Sequence, residues 1–278
     1  MIRIIADSTC NLSQDLIDKH NILIAPISIQ FGEESFEEDI DIDRPTFYRK
    51  IDEMGIIPTT SQPTPAWYAK HYQEADPEQD QLLVITITQK HSGTYDSAIL
   101  AKSMVPEANV TVFDSANISL ATGWMILEAA RAVEEGKNLE TILTRLEYIR
   151  DNCCLYLTPA VLKYLQMSGR VGKLQGALGS LLSLKPIIAV TDGALAAMEN
   201  VRTRGKSLER LLNLVEEAVG TQPANVAVIH ARDEEAGQFL LKSVKERLNV
   251  QEVLYGDLVA SLAVHGGPGV VALFAYPA

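Results

Sequence analysis

Two short segments join hydroxyl side chains to constrained backbone in a way that suits hydrogen bonding to a ligand. The first, "PTTSQPTPAWY" over residues 58–68, sets four hydroxyls, three prolines and a glutamine in its first eight positions. Thr64 before Pro65 reads as an N-cap followed by a first-turn proline, which accounts for the end of the stretch. Thr60 and Ser61 remain between Pro58 and Pro63, whose fixed φ stiffens the segment. The second, "HSGTYDSA" over residues 91–98, directly follows the apolar run "QLLVITIT". Ser92 and Gly93 fall where a helix should begin, and unpaired N–H groups with the positive end of the helix dipole favour an anion there. Either segment alone is explained by capping. The pair is more informative, because both lie at junctions expected on the binding edge of one sheet.

A third segment, "VHGGPGVVAL", carries His265 into Gly266, Gly267 and Gly269. It reads as a tight turn between two closing apolar strands, an expensive place for glycine unless the turn is used. Three lookalikes fail. "RGKS" at 204–207 lacks the first glycine of a P-loop, Asn200 standing in its place. "SGRVGKLQGALG" never spaces as G-x-G-x-x-G, and no G-x-S-x-G nucleophile elbow occurs. Nucleotide binding within this chain is therefore not expected.

The elements that must position these residues follow from alternation. "IRIIAD", "ILIAPISI", "QLLVITIT" and "NVTVFDS" read as strands. Helical spacing covers 12–20, 44–54, 65–74 and 95–104, then 120–135 and 139–151. Such alternation predicts a mostly parallel sheet flanked by helices, with ligands beyond the carboxyl ends of its strands. From "CCLYL" onward the pattern changes. "PAVLKYLQMSGR" and "VGKLQGALGSLLSL" read as helices, and Asp192-Gly193 reads as the turn of a hairpin. A helix from Ser207 to Val219, the strand "NVAVIHA" and another helix precede the closing strands. The expected fold is α/β in two domains: residues 1–151 with the mostly parallel sheet, and 152–278 as a mixed α/β domain. Over 176–190 small residues interrupt an apolar run, which is core material but also leaves room for an apolar guest.

Composition excludes several classes. With 278 residues and a formal net charge of −12, neither a nucleic-acid backbone nor an anionic membrane surface suits as main partner. Three cysteines, two of them adjacent and none in C-x-x-C, support neither a disulfide framework nor a zinc site. No apolar run reaches the roughly 20 residues of a membrane span, and the start lacks a signal-peptide pattern. A reducing cytoplasm is the expected location, with no stable membrane insertion and no metal.

"ADST", "PTTSQPTP", "SGTYDSA", "FDS", "YLQMSGRVGKLQGALGSLLSLKPI", "VRTRGKS" and "HGGPG" occur together in an order and spacing that resembles the DegV family over essentially the whole chain. The resemblance implies a two-domain bacterial protein that binds a long-chain fatty acid, with a tail tunnel in the second domain and no other cofactor. It further implies the role of the fatty-acid-binding subunit of fatty acid kinase. A separate ATP-dependent kinase would phosphorylate the bound carboxylate on the way to phospholipid synthesis. Carried over by position, it makes Ser61 and Ser92 carboxylate ligands with Thr60 and Thr94 beside them, and brings His265 to the same head group. Arg170, Arg202 and Arg204 would face the kinase, and no residue is catalytic. One departure precedes Ser92, where Gln89, Lys90 and His91 replace the small residues common in the family. Two other readings stand beside the carrier. One is a serine-dependent acyl hydrolase or transferase using Ser61 or Ser92, with His265 as base and Asp7 or Asp114 orienting it. The other is a lipid sensor.

Overall fold

The computed structural model describes residues 1–170 and 184–278. The chain divides into two compact units, Met1–Arg150 and Asp151–Ala278. The first runs β1 (Ile2–Asp7), α1 (Gln14–Lys19), β2 (Leu23–Ala25), β3 (Ser28–Phe31), β4 (Glu34–Glu37), α2 (Arg44–Met54), β5 (Thr59–Ser61), α3 (Pro65–Gln73), β6 (Gln81–Thr86), α4 (Thr94–Met104), β7 (Val110–Asp114), α5 (Leu120–Glu134) and α6 (Leu139–Asn152). A parallel sheet in the order β2-β1-β6-β7 is its centre. Ile5, Leu82 and Val84 on one face meet Tyr68 and Tyr72 of α3 and Ala98 and Ala101 of α4. Helix α5, buried from Leu120 through Leu127, packs on β1 and β6. Gly123 allows that approach, since a Cβ there would stand 2.5 Å from the Cys10 carbonyl oxygen.

The run "ILIAPISI" is not one strand. Pro26 has no N–H for a ladder, and the chain changes sheets there, β2 joining the parallel sheet and β3 an antiparallel one. That second sheet, ordered β4-β3-β5, includes residues 59–61, which the sequence reading treats as a rigid connection. Phe47 of α2 covers it, edge-on to Phe31 at 6.0 Å.

The second unit runs β8 (Cys154–Thr158), α7 (Lys163–Met167), β9 (Lys185–Thr191), β10 (Ala194–Val201), α8 (Arg204–Val219), β11 (Ala224–His230), α9 (Glu234–Arg247), β12 (Val250–Asp257), α10 (Ala260–Gly266) and β13 (Val271–Pro277). Among the described residues its sheet is ordered β10-β9-β8-β13-β11-β12. Neighbours are antiparallel except β11 and β12, so the sheet is mixed as expected. Leu211 and Val215 of α8 and Leu240 and Val244 of α9 cover Val226, Val228, Val271 and Leu273. The Asp192-Gly193 turn has φ of 50° and 76°, the double positive φ of a type I′ hairpin. Helix α7 is shorter than the stretch expected from 159 to 170. All but the last residue of the expected helix over 171–184, and with it much of the proposed tunnel lining over 176–190, lies outside the described residues. The run before "HGGPG" is a helix and not a strand: Ala260–Gly266 is rich in alanine, and its apolar side chains close over one side instead of alternating.

Candidate functional site

The loop carrying Ser92 leaves the carboxyl end of β6 with its backbone tied down. The Ile87 N–H donates to Asp7 Oδ2 at 2.8 Å, Thr88 N–H to the Asn117 carbonyl at 2.9 Å, and Gln89 N–H to Asp114 Oδ1 at 3.3 Å. Lys90 and His91 N–H donate to the hydroxyl and carbonyl of Thr88. The chain then enters α4 through Gly93, the N-cap, which has no side chain to cap with. Ser92 takes that task from one position earlier, accepting from Thr94 N–H at 3.3 Å. Its Oγ lies 2.8 Å from Thr94 Oγ1. Thr94 is buried and Ser92 half-buried. Two linked hydroxyls therefore stand at the first turn of an 11-residue helix, where main-chain N–H groups have no partners within the helix.

The second segment approaches the first. On β5, Ser61 pairs with Ser28 and Thr60 with Ile29 of β3. Strand alternation sends these two hydroxyls to opposite faces. Thr60 shares its face with fully buried Ile29 and is half-buried, whereas Ser61 is exposed. Gln62 follows, and its side-chain amide lies over Gly93: a Cβ added to Gly93 would be 2.8 Å from Gln62 Nε2. The 60–62 and 92–94 segments thus meet within one unit. Gln62 lies just past the end of β5 and is exposed, and its amide is what joins the segment carrying Thr60 and Ser61 to the one carrying Ser92.

In the second unit, His265 occupies the last turn of α10 and is half-buried. After it, Gly267 and Gly269 take φ of 76° and 81°. Side chains at these two glycines would run into the Tyr164 ring and Ala160 respectively, so the close turn needs both. Arg204 holds this turn from the side, donating to the Gly269 carbonyl at 2.7 Å, the Thr158 carbonyl at 3.3 Å and Asp233 Oδ2 at 2.6 Å. Its guanidinium is occupied inside the unit. Arg202 is exposed, and Arg170 bonds the Ser168 carbonyl at 2.7 Å.

The DegV family model, described as an uncharacterised protein family, matches residues 1–278. The chain belongs to the DegV family. A DegV domain-containing protein of Staphylococcus aureus is 36% identical over 272 residues, 96% of this chain and 94% of that one. Among solved structures, a DegV family protein from Thermus thermophilus, reported for its fatty acid binding, has a TM-score of 0.94 at 34% identity. The match covers 100% of this chain and 99% of that one. A stearic-acid-binding protein from Eubacterium ventriosum has a TM-score of 0.92 at 30% identity, covering 100% and 98%.

The two carboxylates weighed as base-orienting groups have other partners in this DegV chain. Asp7 directs its oxygens to the Thr9 N–H and hydroxyl and to Ile87 N–H, while Asp114 accepts from Gln89 and Ala116 N–H. Both carboxylates that would orient a base are committed to backbone. Ser92 Oγ lies within hydrogen-bond distance of the Thr94 hydroxyl and N–H. Among the described residues no group of histidine, cysteine and acidic side chains is arranged to hold a metal, and no helix is long and apolar enough to cross a membrane. Gln62 and Gly93 are the contact that sequence reasoning missed. The β-branched pair Thr59-Thr60 carried the signal, because it marks a strand and hence the alternation that separates Thr60 from Ser61.

Proposed function

We propose that this DegV protein binds a long-chain fatty acid and presents its carboxylate to a separate ATP-dependent kinase, performing no chemistry itself. The observation that carries this reading is the meeting of Gln62 with Gly93, which brings the segment carrying Thr60 and Ser61 to the one carrying the Ser92–Thr94 hydroxyls. Neutral donors and a helix N-terminus suit an ionised carboxylate, and leave it charged and nucleophilic toward a phosphoryl donor. In this reading Ser61, Thr60, Ser92 and Thr94 line the grip, and His265 is a further proposed head-group ligand. Burying about 14 methylenes at roughly 0.8 kcal/mol each supplies on the order of 11 kcal/mol. Association costs about 4–15 kcal/mol, so tight binding needs an enclosed tail. A tail tunnel in the second unit is part of the proposal.

For the partner surface, exposed Arg202 and half-buried Arg170 are the proposed kinase contacts. Arg204 enters through the turn it holds. The acyl phosphate would feed phospholipid synthesis, and the setting would be the cytoplasm. Native mass spectrometry of gently purified protein tests the reading. A co-purified saturated or monounsaturated fatty acid is expected, and apo protein from lipid-rich extracts would count against it. Turnover of an acyl ester without any kinase would favour a hydrolase instead, and binding without acyl phosphate formation in the presence of the kinase would favour a lipid sensor.

A further inference from the structure

The "ADST" segment at the end of β1 takes no part in the grip described above, yet both arms of the grip are fastened to it. Asp7 is 1% exposed and continues the sheet face of Ile5, toward Tyr68. One of its oxygens accepts from Thr9 N–H at 3.1 Å and from the Thr9 hydroxyl; the other accepts from Ile87 N–H at 2.8 Å, the first residue of the loop that delivers Ser92. Burial raises the Asp7 pKa against these hydrogen bonds, so the donors are what make a carboxylate tolerable there.

The next residue serves the other arm. Ser8 Oγ accepts from Ile27 N–H at 3.0 Å and donates to Glu38 Oε2 at 2.6 Å. Ile27 immediately precedes β3 and Glu38 immediately follows β4, and Glu38 N–H returns to the Ile27 carbonyl at 2.9 Å. One hydroxyl therefore closes the base of the β3–β4 hairpin, and β3 is the strand on which Thr60 is registered through Ile29. A single peptide bond separates the anchor of the Ser92 arm from the anchor of the Thr60 arm.

We propose that Asp7 and Ser8 are the positioning residues of the head-group site, Asp7 placing the Ser92 loop and Ser8 placing the Thr60 strand. Their adjacency sets the separation of the two arms. The inference rests on the fatty-acid reading for its consequence and on the hydrogen bonds alone for its structure. Asp7→Asn keeps the shape but turns a donor toward either Ile87 N–H or the Thr9 pair. Ser8→Ala removes the bridge between Ile27 and Glu38.

Amide hydrogen exchange on the ligand-free full chain tests the anchoring. Asp7→Asn should speed exchange over 87–93 and spare 27–31 and 59–61, and Ser8→Ala should do the reverse. Uniform loosening of the unit, or none, would overturn the proposal. Competition binding of hexadecanoic acid and hexadecanol then tests the consequence. Each substitution should weaken the acid about tenfold and leave the alcohol unchanged, as for loss of one good hydrogen bond. Asp7→Asn should add nothing in a Ser92→Ala background while keeping its effect in Thr60→Ala; additivity in both backgrounds would sink the proposal. If the exchange pattern holds while Ser92→Ala and Thr60→Ala leave acid binding intact, the head-group assignment fails and the anchoring stands; if the unaltered chain binds no acid, the fatty-acid reading fails and the anchoring still stands. Should Asp7→Asn not fold, Thr9→Val removes one donor from the carboxylate. It should loosen 87–93 alone, and a neutral result there refutes the inference.

Discussion

Replacing Gly93 by alanine isolates the contact between the two arms. The backbone accepts the change, since Gly93 has φ of −78°, ordinary for any residue. The new Cβ would stand 2.8 Å from Gln62 Nε2 and 3.1 Å from its carbonyl carbon, where ordinary contact begins at 3.4 Å. The amide must therefore retreat by roughly 0.6 Å, taking the end of β5 with it or swinging away alone. Global stability should fall by about 1 kcal/mol, the cost of alanine at an N-cap. If the arm moves, a carboxylate spanning Thr60 and Ser92 loses part of a charge-assisted hydrogen bond worth about 1.5–3 kcal/mol. Half of the lower figure to half of the upper is about 1 kcal/mol, or roughly a fivefold rise in Kd. Titration calorimetry with palmitate on Gly93→Ala and on the double variant Gly93→Ala, Gln62→Ala decides the matter, because removing the obstructing amide should restore affinity. Continued weak binding in the double variant would refute the reasoning, as would equal weakening of palmitate and hexadecanol.

Ser92→Ala should cost acid binding about 1.5–3 kcal/mol with little effect on the alcohol, read by the same calorimetry. Gly267→Ala should lower the melting temperature measurably, since it places a Cβ into the Tyr164 ring at φ of 76°, a strain of about 1–3 kcal/mol. Burial pushes the thiols of Cys10 and Cys154 up to about 12, so at pH 8 both are protonated thiols. A disulfide reagent should leave both unmodified in native protein and label both on unfolding, as resolved by peptide mapping.

Much of this architecture was legible because the period of apolar residues changes cleanly between elements. The helix expected over 44–54 forms over those residues, with Asp43 accepting from Thr46 N–H as its cap and Pro45 in the first turn. The Asp192-Gly193 hairpin was readable from two residues that tolerate positive φ. What failed was context. Nothing local says that Pro26 divides an apolar run between two sheets, because strand partners far along the chain, Ile5 for Leu23 and Thr60 for Ile29, decide it. Likewise Ala260–Gly266 reads as strand by its apolarity and forms a helix where tertiary packing overrides the pattern. Near Ser92, the helix expected after it is legible in the sequence and begins at Thr94. That Thr60 and Ser61 lie on opposite faces follows from the register with β3, which no spacing reveals. The partners of Arg204, two carbonyls and a carboxylate, are all distant in sequence and so not legible from its neighbours.

The position of β13 has a consequence for how the second unit is made. This strand is the latest of its sheet in the chain, yet it lies between β8 and β11, so neither has its neighbour until residues 271–277 exist. Until then the unit holds two separate ribbons with open edges, each able to pair with the wrong chain. Completion is therefore abrupt rather than gradual. A product trimmed within "VALFAYP" would be left with two ribbons that cannot join, an aggregation-prone fragment for proteases to clear. The order of strands thus works as an inspection step: a second unit that has closed is one whose final strand was made correctly.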